Sequence, residues 1–166
     1  MRIEPATTDD VGALVDAWVE LAATQRRHGS HLADEANREA IRPILAYHAV
    51  EGTCLVARAA PGEVSGPDGD VLGFVNFGLE EAGLSGDATR GLVHNVFVEP
   101  GFRGEGVGSA LLDAAEAALA ERGADVVAIE ALADNEAARR LYRRRGYDLH
   151  RVQYERTTET DTSESE

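Results

Sequence analysis

Residues 92–109 read Leu-Val-His-Asn-Val-Phe-Val-Glu-Pro-Gly-Phe-Arg-Gly-Glu-Gly-Val-Gly-Ser: an apolar strand pattern cut off by Pro100, a glycine-rich turn, and the start of a long helical pattern. Such a turn leaves several backbone N–H groups free to converge on one anionic guest, and the helix dipole favours negative charge there. The chemistry on offer is capture of a phosphate or pyrophosphate. Two familiar phosphate turns do not fit. Gly101 and Gly106 have the spacing of a P-loop, but Val107 and Gly108 follow where Lys and Ser/Thr are required, and the chain contains no lysine. Gly104-Glu105-Gly106-Val107-Gly108 lacks the final spacing of a Gly-x-Gly-x-x-Gly dinucleotide turn. The structural alternative is a turn that only packs a helix onto a strand.

Other reactive side chains are sparse. Cys54, the one cysteine, excludes an intrachain disulfide and any cysteine-cluster metal site. Its place inside an apolar strand pattern suits a small buried hydrophobe better than a nucleophile. His28 and His31 are three apart with no third ligand in view, so no metal is expected.

The elements that must position the turn can be read in order. Residues 2–5 form a short strand. Thr7 or Thr8 can cap a helix with Asp9 and Asp10 in its first turn, and Val11, Leu14, Val15, Trp18, Val19 and Ala22 give it helical period to about Arg26. Asp34 can cap a second helix with Ile41, Ile44, Leu45 and His48 on one side, which Pro43 is expected to kink or split. Residues 53–59 and 71–79 read as strands around a Gly/Pro/Asp-rich hairpin loop at 61–70, and a second loop covers about 80–90. After the strand at 92–98 and the glycines comes a helix with Val107, Ala110, Leu111, Ala114, Ala115, Ala118 and Leu119 on one stripe, ended by Gly123. A buried strand at 126–132 follows. Asp134 or Asn135 caps a last helix with Ala138, Leu141 and Tyr142 on one face, stopped by Gly146, and a final strand runs from about 147 to 156. The order β-α-α-β-β-β-α-β-α-β predicts a mixed α/β fold with a mixed sheet in one domain over residues 1–156. Residues 157–166 hold no hydrophobe and are expected to be an acidic disordered tail.

Composition narrows the partners. Forty-three per cent hydrophobic and 28% charged residues describe a globular chain, and no apolar run is long enough for a membrane span. The N-terminus has no signal pattern, which makes the cytoplasm the expected location. Thirty acidic residues against sixteen arginines give a net charge of −14, which disfavours nucleic acid as a partner. Carboxylate self-repulsion of this size is relieved at high salt, so an acidic proteome and a salt-loving source are one expectation. A GC-rich genome that favours arginine is the other.

Arg103-Gly104-Glu105-Gly106-Val107-Gly108, read as Arg-x-x-Gly-x-Gly after Val-Glu-Pro, resembles the acyl-CoA-binding motif of the GCN5-related N-acetyltransferases. Asn135-Glu136-Ala137-Ala138-Arg139-Arg140-Leu141-Tyr142-Arg143-Arg144-Arg145-Gly146-Tyr147 resembles that family's later Asn-x-x-Ala-x-x-Leu-Tyr-x-x-x-Gly-aromatic segment. The likeness covers about residues 70–150; the first sixty agree in element order only.

The resemblance implies a family fold and a division of labour. The sheet should split between the strands at 92–98 and 126–132, with the pantetheine arm of acetyl-CoA in the cleft. Val96, Phe97 and Val98 would line the arm, with the backbone groups of Val96 and Val98 pairing with it. Arg103, Gly104, Glu105, Gly106, Val107, Gly108 and Ser109 would surround the pyrophosphate, Gly106 and Gly108 allowing close approach. Asn135 would bond the arm or shape the cleft wall, besides capping its helix. Arg139, Arg140 and Arg143 have two readings, coenzyme phosphates or complement to a helix C-terminus. Tyr142 would be the general acid for the departing thiolate, a phenol being protonated at neutral pH. His94 stands where many relatives carry a glutamate and is the candidate base, with Glu130 a weaker one; a hydrogen-bonded structural histidine is the other role open to His94. Plain strand alternation would put His94, Val96 and Val98 on one face and Asn95 and Phe97 on the other.

The function implied is direct acetyl transfer from acetyl-CoA to a primary amine, small molecule or protein, with the acceptor rim formed by the first two helices and the loops at 26–34 and 80–90. A non-catalytic acyl-CoA-binding or regulatory module on the same fold, or a subunit of a larger acetyltransferase complex, are the alternatives. Only one strand is expected beyond Gly146, so a homodimer is one way to complete the sheet edge.

Overall fold

The computed structural model describes residues 1–63, 69–81 and 83–158, and the chain falls into two compact units, Met1–Asp134 and Asn135–Glu166. The centre of the hairpin loop at 61–70 and most of the acidic tail lie outside the described residues.

The first unit is a five-stranded mixed sheet with three helices. Its strands are β1 (Arg2–Pro5), β2 (Cys54–Arg58), β3 (Val71–Leu79), β4 (Arg90–Val98) and β5 (Val126–Ile129), and its helices α1 (Val11–Arg27), α2 (Arg38–Glu51) and α3 (Val107–Glu121). Strand order is β1-β2-β3-β4-β5; the first three pairings are antiparallel and β4 with β5 is parallel. The α3 connection between two parallel strands is what permits that last pairing.

Helix starts follow the sequence cues. The Asp10 carboxylate accepts from Thr7 N–H at 2.8 Å, in a short 3-10 turn that feeds α1. Asp34 accepts from Glu35 N–H at 2.6 Å ahead of α2. Pro43 does not split α2, which runs unbroken through it. The proline sits on the exposed side, where water can satisfy the carbonyl left without an amide partner. Ile41, Leu45 and Ala49 are the buried stripe of α2; Ile44, expected with them, is half exposed. That stripe and the α1 residues Leu14, Val15 and Trp18 close over Val56, Phe74 and Phe97 on one face of the sheet. Against the sheet α3 buries Val107, Leu111, Leu112, Ala115 and Leu119.

Two expected strands are corrected. The one at 126–132 ends at Ile129, where its pairing with β4 stops. The one at 147–156 does not form. The second unit contains a helix, α4 (Glu136–Arg144), and residues 145–158 carry no strand. A ladder needs a second strand, and none is described within this unit.

Candidate active site at the open edge of the fourth strand

The β4–β5 register runs Arg90 with Val126, Gly91 with Val127, Leu92 with Ala128 and Val93 with Ile129, and then ends. On its other edge β4 stays paired with β3 to Val98. Among the described residues, 94–98 are therefore paired with a strand on one side only. Glu99 N–H donates to Leu72 O on β3 at 2.9 Å. Backbone groups alternate along a strand, so the amides of Asn95 and Phe97 also face β3 and those of Val96 and Val98 face the open edge. Val98 O on that edge accepts from Arg103 Nε at 2.9 Å. The Arg103 side chain thus folds back on the strand end, its guanidinium 5.7 Å from the centre of the Phe97 ring. Phe97 itself is buried against Phe74 and serves the core.

Beyond Val98 the chain makes one 3-10 turn over Pro100–Phe102 and enters the glycine loop. Gly104 and Gly106 have φ of +79° and +84°, left-handed values that a side chain resists. Gly106 is the N-cap of α3, and the first helical bond is Ala110 N–H to Gly106 O. The amides of Val107 and Gly108 precede that ladder at the positive end of a 15-residue helix. A Cβ on Gly108 would sit 3.5 Å from Val98 Cγ2, so the helix start packs against the end of the open strand. Glu105 lies with Met1, Glu63, Leu72, Phe102 and Val107 around a small hollow beside the turn.

His94 occupies the point where the edge opens. Val93 pairs with Phe77 and Asn95 with Asn76, so His94 is the extra residue of a β-bulge. The bulge overturns the plain alternation. His94 shares a face with Asn95 and Phe97, the face on which α2 lies, while Val98 points to α3. Three contacts fix this: the Asn95 amide donates to Asn76 Oδ1 at 2.9 Å, Phe97 joins the α1–α2 core, and the His94 and His48 rings lie 5.5 Å apart. His48 is on α2, and its Nδ1 is 2.7 Å from Thr53 Oγ1. Burial holds both imidazoles below the ordinary histidine value, and His94 depresses His48 further. Sequence reading missed this pair. Its one signal was a histidine ending the apolar stripe of α2.

The remaining candidates sort as follows. Glu130 is exposed, one residue beyond the last β4–β5 pair. Cys54 is fully buried, which pushes its thiol up to about 12. His28 Nδ1 lies 3.1 Å from Asp134 Oδ1, tying the α1–α2 loop to the end of the first unit. Among the described residues no group of three or more His, Cys, Asp or Glu is placed to hold a metal ion, and no helix is long and apolar enough to cross a membrane. In the second unit Asn135 caps α4, its Oδ1 accepting from Ala138 N–H at 3.2 Å. Tyr142 stacks obliquely on Tyr147 with ring centres 6.0 Å apart, and burial pushes its phenol up to about 12.

A mixed sheet opened beside an amide-lined helix start is the architecture of acyl-CoA N-acyltransferases. The chain matches the Acetyltransferase (GNAT) family over residues 15–147 and belongs to it. It is 36% identical over 60 residues to the uncharacterized N-acetyltransferase MJ1207 of Methanocaldococcus jannaschii, a match covering 36% of this chain and 26% of that protein. A GCN5-related N-acetyltransferase from Ralstonia eutropha JMP134 superimposes with a TM-score of 0.70 at 23% identity, over 95% of this chain and 99% of that one. AAC(6')-Iy, solved with the bisubstrate analogue CoA-S-monomethyl-acetylneamine, gives 0.64 at 16% identity over 94% and 98%. At these identities the two structures establish the fold.

Proposed function

We propose that this protein transfers the acetyl group of acetyl-CoA directly to a primary amine. The observation that carries the proposal is the half-paired strand: β4 loses its β5 partner after Val93 and ends at a turn of amides preceding α3. An extended arm laid along 94–98 would complete a ladder with Val96, and its pyrophosphate would meet the amides of Gly106–Gly108. The CoA ligand of AAC(6')-Iy, a protein of the same fold, supports this choice of guest.

Chemistry would occur at the inner end of the edge. The amine loses a proton to His94 and attacks the thioester carbonyl, which Val96 N–H polarises. The carbon–sulfur bond then breaks, and Tyr142 protonates the thiolate. The role of Tyr142 follows from the family resemblance and from a phenol that stays protonated. A covalent acyl-enzyme is not expected, since the Cys54 thiol is buried and un-ionised.

The test is release of free thiol from acetyl-CoA across a panel of amines, amino acids and peptides. Cys54, the one cysteine, is buried, so a thiol reagent reads CoA alone in the folded enzyme. Thiol release that depends on the amine is expected. Acetyl-CoA binding without turnover on any amine would instead identify a non-catalytic module.

A further inference from the structure

The histidine pair has a chemistry that neither the strand nor the turn requires. His94 projects from the bulge over β3, where a Cβ on Gly78 would come 3.5 Å from its Nε2, so the ring lies within van der Waals range of that strand. From α2 the His48 ring meets it at 5.5 Å and 59°, and Tyr47 meets His48 edge-on at 5.7 Å. The Thr53 hydroxyl, 2.7 Å from His48 Nδ1, fixes the His48 ring from the residue just before β2. β3 and α2 thus meet His94 at the place where β4 and β5 part, and Thr53 holds His48 behind it.

We propose that His48 is the positioning residue of a histidine pair whose more exposed member, His94, takes the proton of the attacking amine. This rests on the acetyltransfer reading. The Thr53 contact orients His48, and the His48 ring holds His94 above Gly78 facing the open end of the edge. The ammonium gives one proton to His94, the free amine's electron pair forms the bond to the acetyl carbon as the carbon–sulfur bond breaks, and the proton that the amide nitrogen then sheds replaces the one Tyr142 gives to the thiolate. Two imidazoles at 5.5 Å disfavour two positive charges, and the penalty falls on His48, which stays neutral while His94 takes the proton. The groups that meet His94 are the His48 ring on α2 and Gly78 on β3, with Tyr47 behind His48 and the exposed Glu130 one residue past the last β4–β5 pair. His48 is the one among them whose ring is in contact with His94.

The experiment pairs the pH profile of kcat/KM with NMR titration of the imidazole C–H resonances, in the wild type, His94→Gln, His48→Gln and His48→Asn. The expected wild-type profile has an acid limb below the ordinary histidine midpoint of about 6.5, matching the His94 resonance. His94→Gln removes that limb and lowers kcat by about 10²–10⁴-fold. His94→Gln also moves the His48 resonance to higher pH, while His48→Gln and His48→Asn lower kcat by less than His94→Gln does and leave the KM for acetyl-CoA unchanged. Two His48 variants guard against a local folding defect, and the NMR spectrum reports folding directly. An undiminished kcat in both His48 variants overturns the positioning role while leaving His94 as base. Full turnover in His94→Gln overturns the pair altogether. No turnover in the wild type on any amine overturns the acetyltransfer reading, an outcome separate from the NMR coupling.

Discussion

The side-chain amide of Asn95 donates to Oδ1 of Asn76 at 2.9 Å, joining the first residue past the bulge on β4 to the last residue before it on β3. Asn76 is only 2% exposed, so this polar pair sits inside the sheet's packed face. A buried amide is costly unless paired, which makes the bond a register pin: a slip by one residue would bury both groups unsatisfied. Asn76→Ala should cost about 1–3 kcal/mol in urea unfolding, because it strands the Asn95 amide. Asn95→Ala should cost less, its side chain being nearer to water. Equal stability of all three proteins would sink the register argument.

That pair also shows where sequence reading stops. The turn at 104–108 was legible because glycine announces its own backbone needs, and Gly104 and Gly106 do take left-handed φ. The α1 and α3 stripes were legible because a 3.6 period needs no partner to be recognised. The bulge was not. It depends on how β3 and β4 register against each other, which no single strand encodes, and it alone moved His94 to the face of Asn95 and Phe97. The early end of β5 at Ile129 is a relation between strands of the same kind. Arg103 fitted its motif by spacing, but spacing does not show that its Nε is taken by Val98 O.

Gly106 and Gly108 should separate backbone conformation from backbone approach. Gly106→Ala forces a side chain onto φ +84° at the α3 cap, costing about 1–2 kcal/mol of stability and distorting the amides proposed to hold the pyrophosphate. Gly108 lies in the helix with a Cβ contact of 3.5 Å, an ordinary distance, so Gly108→Ala should keep or raise stability. Both should raise the Kd for acetyl-CoA about tenfold or more, equivalent to about 1.4 kcal/mol. Thermal melts and calorimetric titration read the two effects independently. Unchanged affinity in both variants would remove the turn from the coenzyme site.

Tyr142 should be the acid through its proton and not through its ring. Burial pushes its phenol up to about 12, so the proton donor persists through the whole working range. Tyr142→Phe should lower kcat at least about tenfold with little change in the KM for acetyl-CoA, since the ring and its contact with Tyr147 at 6.0 Å survive. Alkaline titration of the wild type by tyrosinate absorbance should lose one late-titrating group in the variant. An undiminished kcat would transfer proton donation to solvent.

Salt should divide the protein's ion pairs by burial. With −14 net charge and no lysine, the chain carries a repulsion that screening relieves as the Debye length falls from about 10 Å at about 0.1 M to about 3 Å at about 1 M salt. The melting temperature should therefore rise across that range. Arg58 behaves differently from the surface. Its guanidinium binds Glu4 at 2.6 Å, Asp70 at 2.9 Å and Asp10 at 3.0 Å, with the Arg58 and Asp10 side chains only 13% and 10% exposed. Arg58→Met leaves a carboxylate buried without its cation and should cost about 3–5 kcal/mol, at either salt concentration. Arg38→Met, which breaks exposed pairs to Asp16 and Glu35, should cost much less than Arg58→Met at low salt and less again at high salt. Thermal melts of the three proteins at both concentrations check this. A wild-type melting temperature indifferent to salt would leave arginine-rich coding, and not a saline habitat, as the source of the composition.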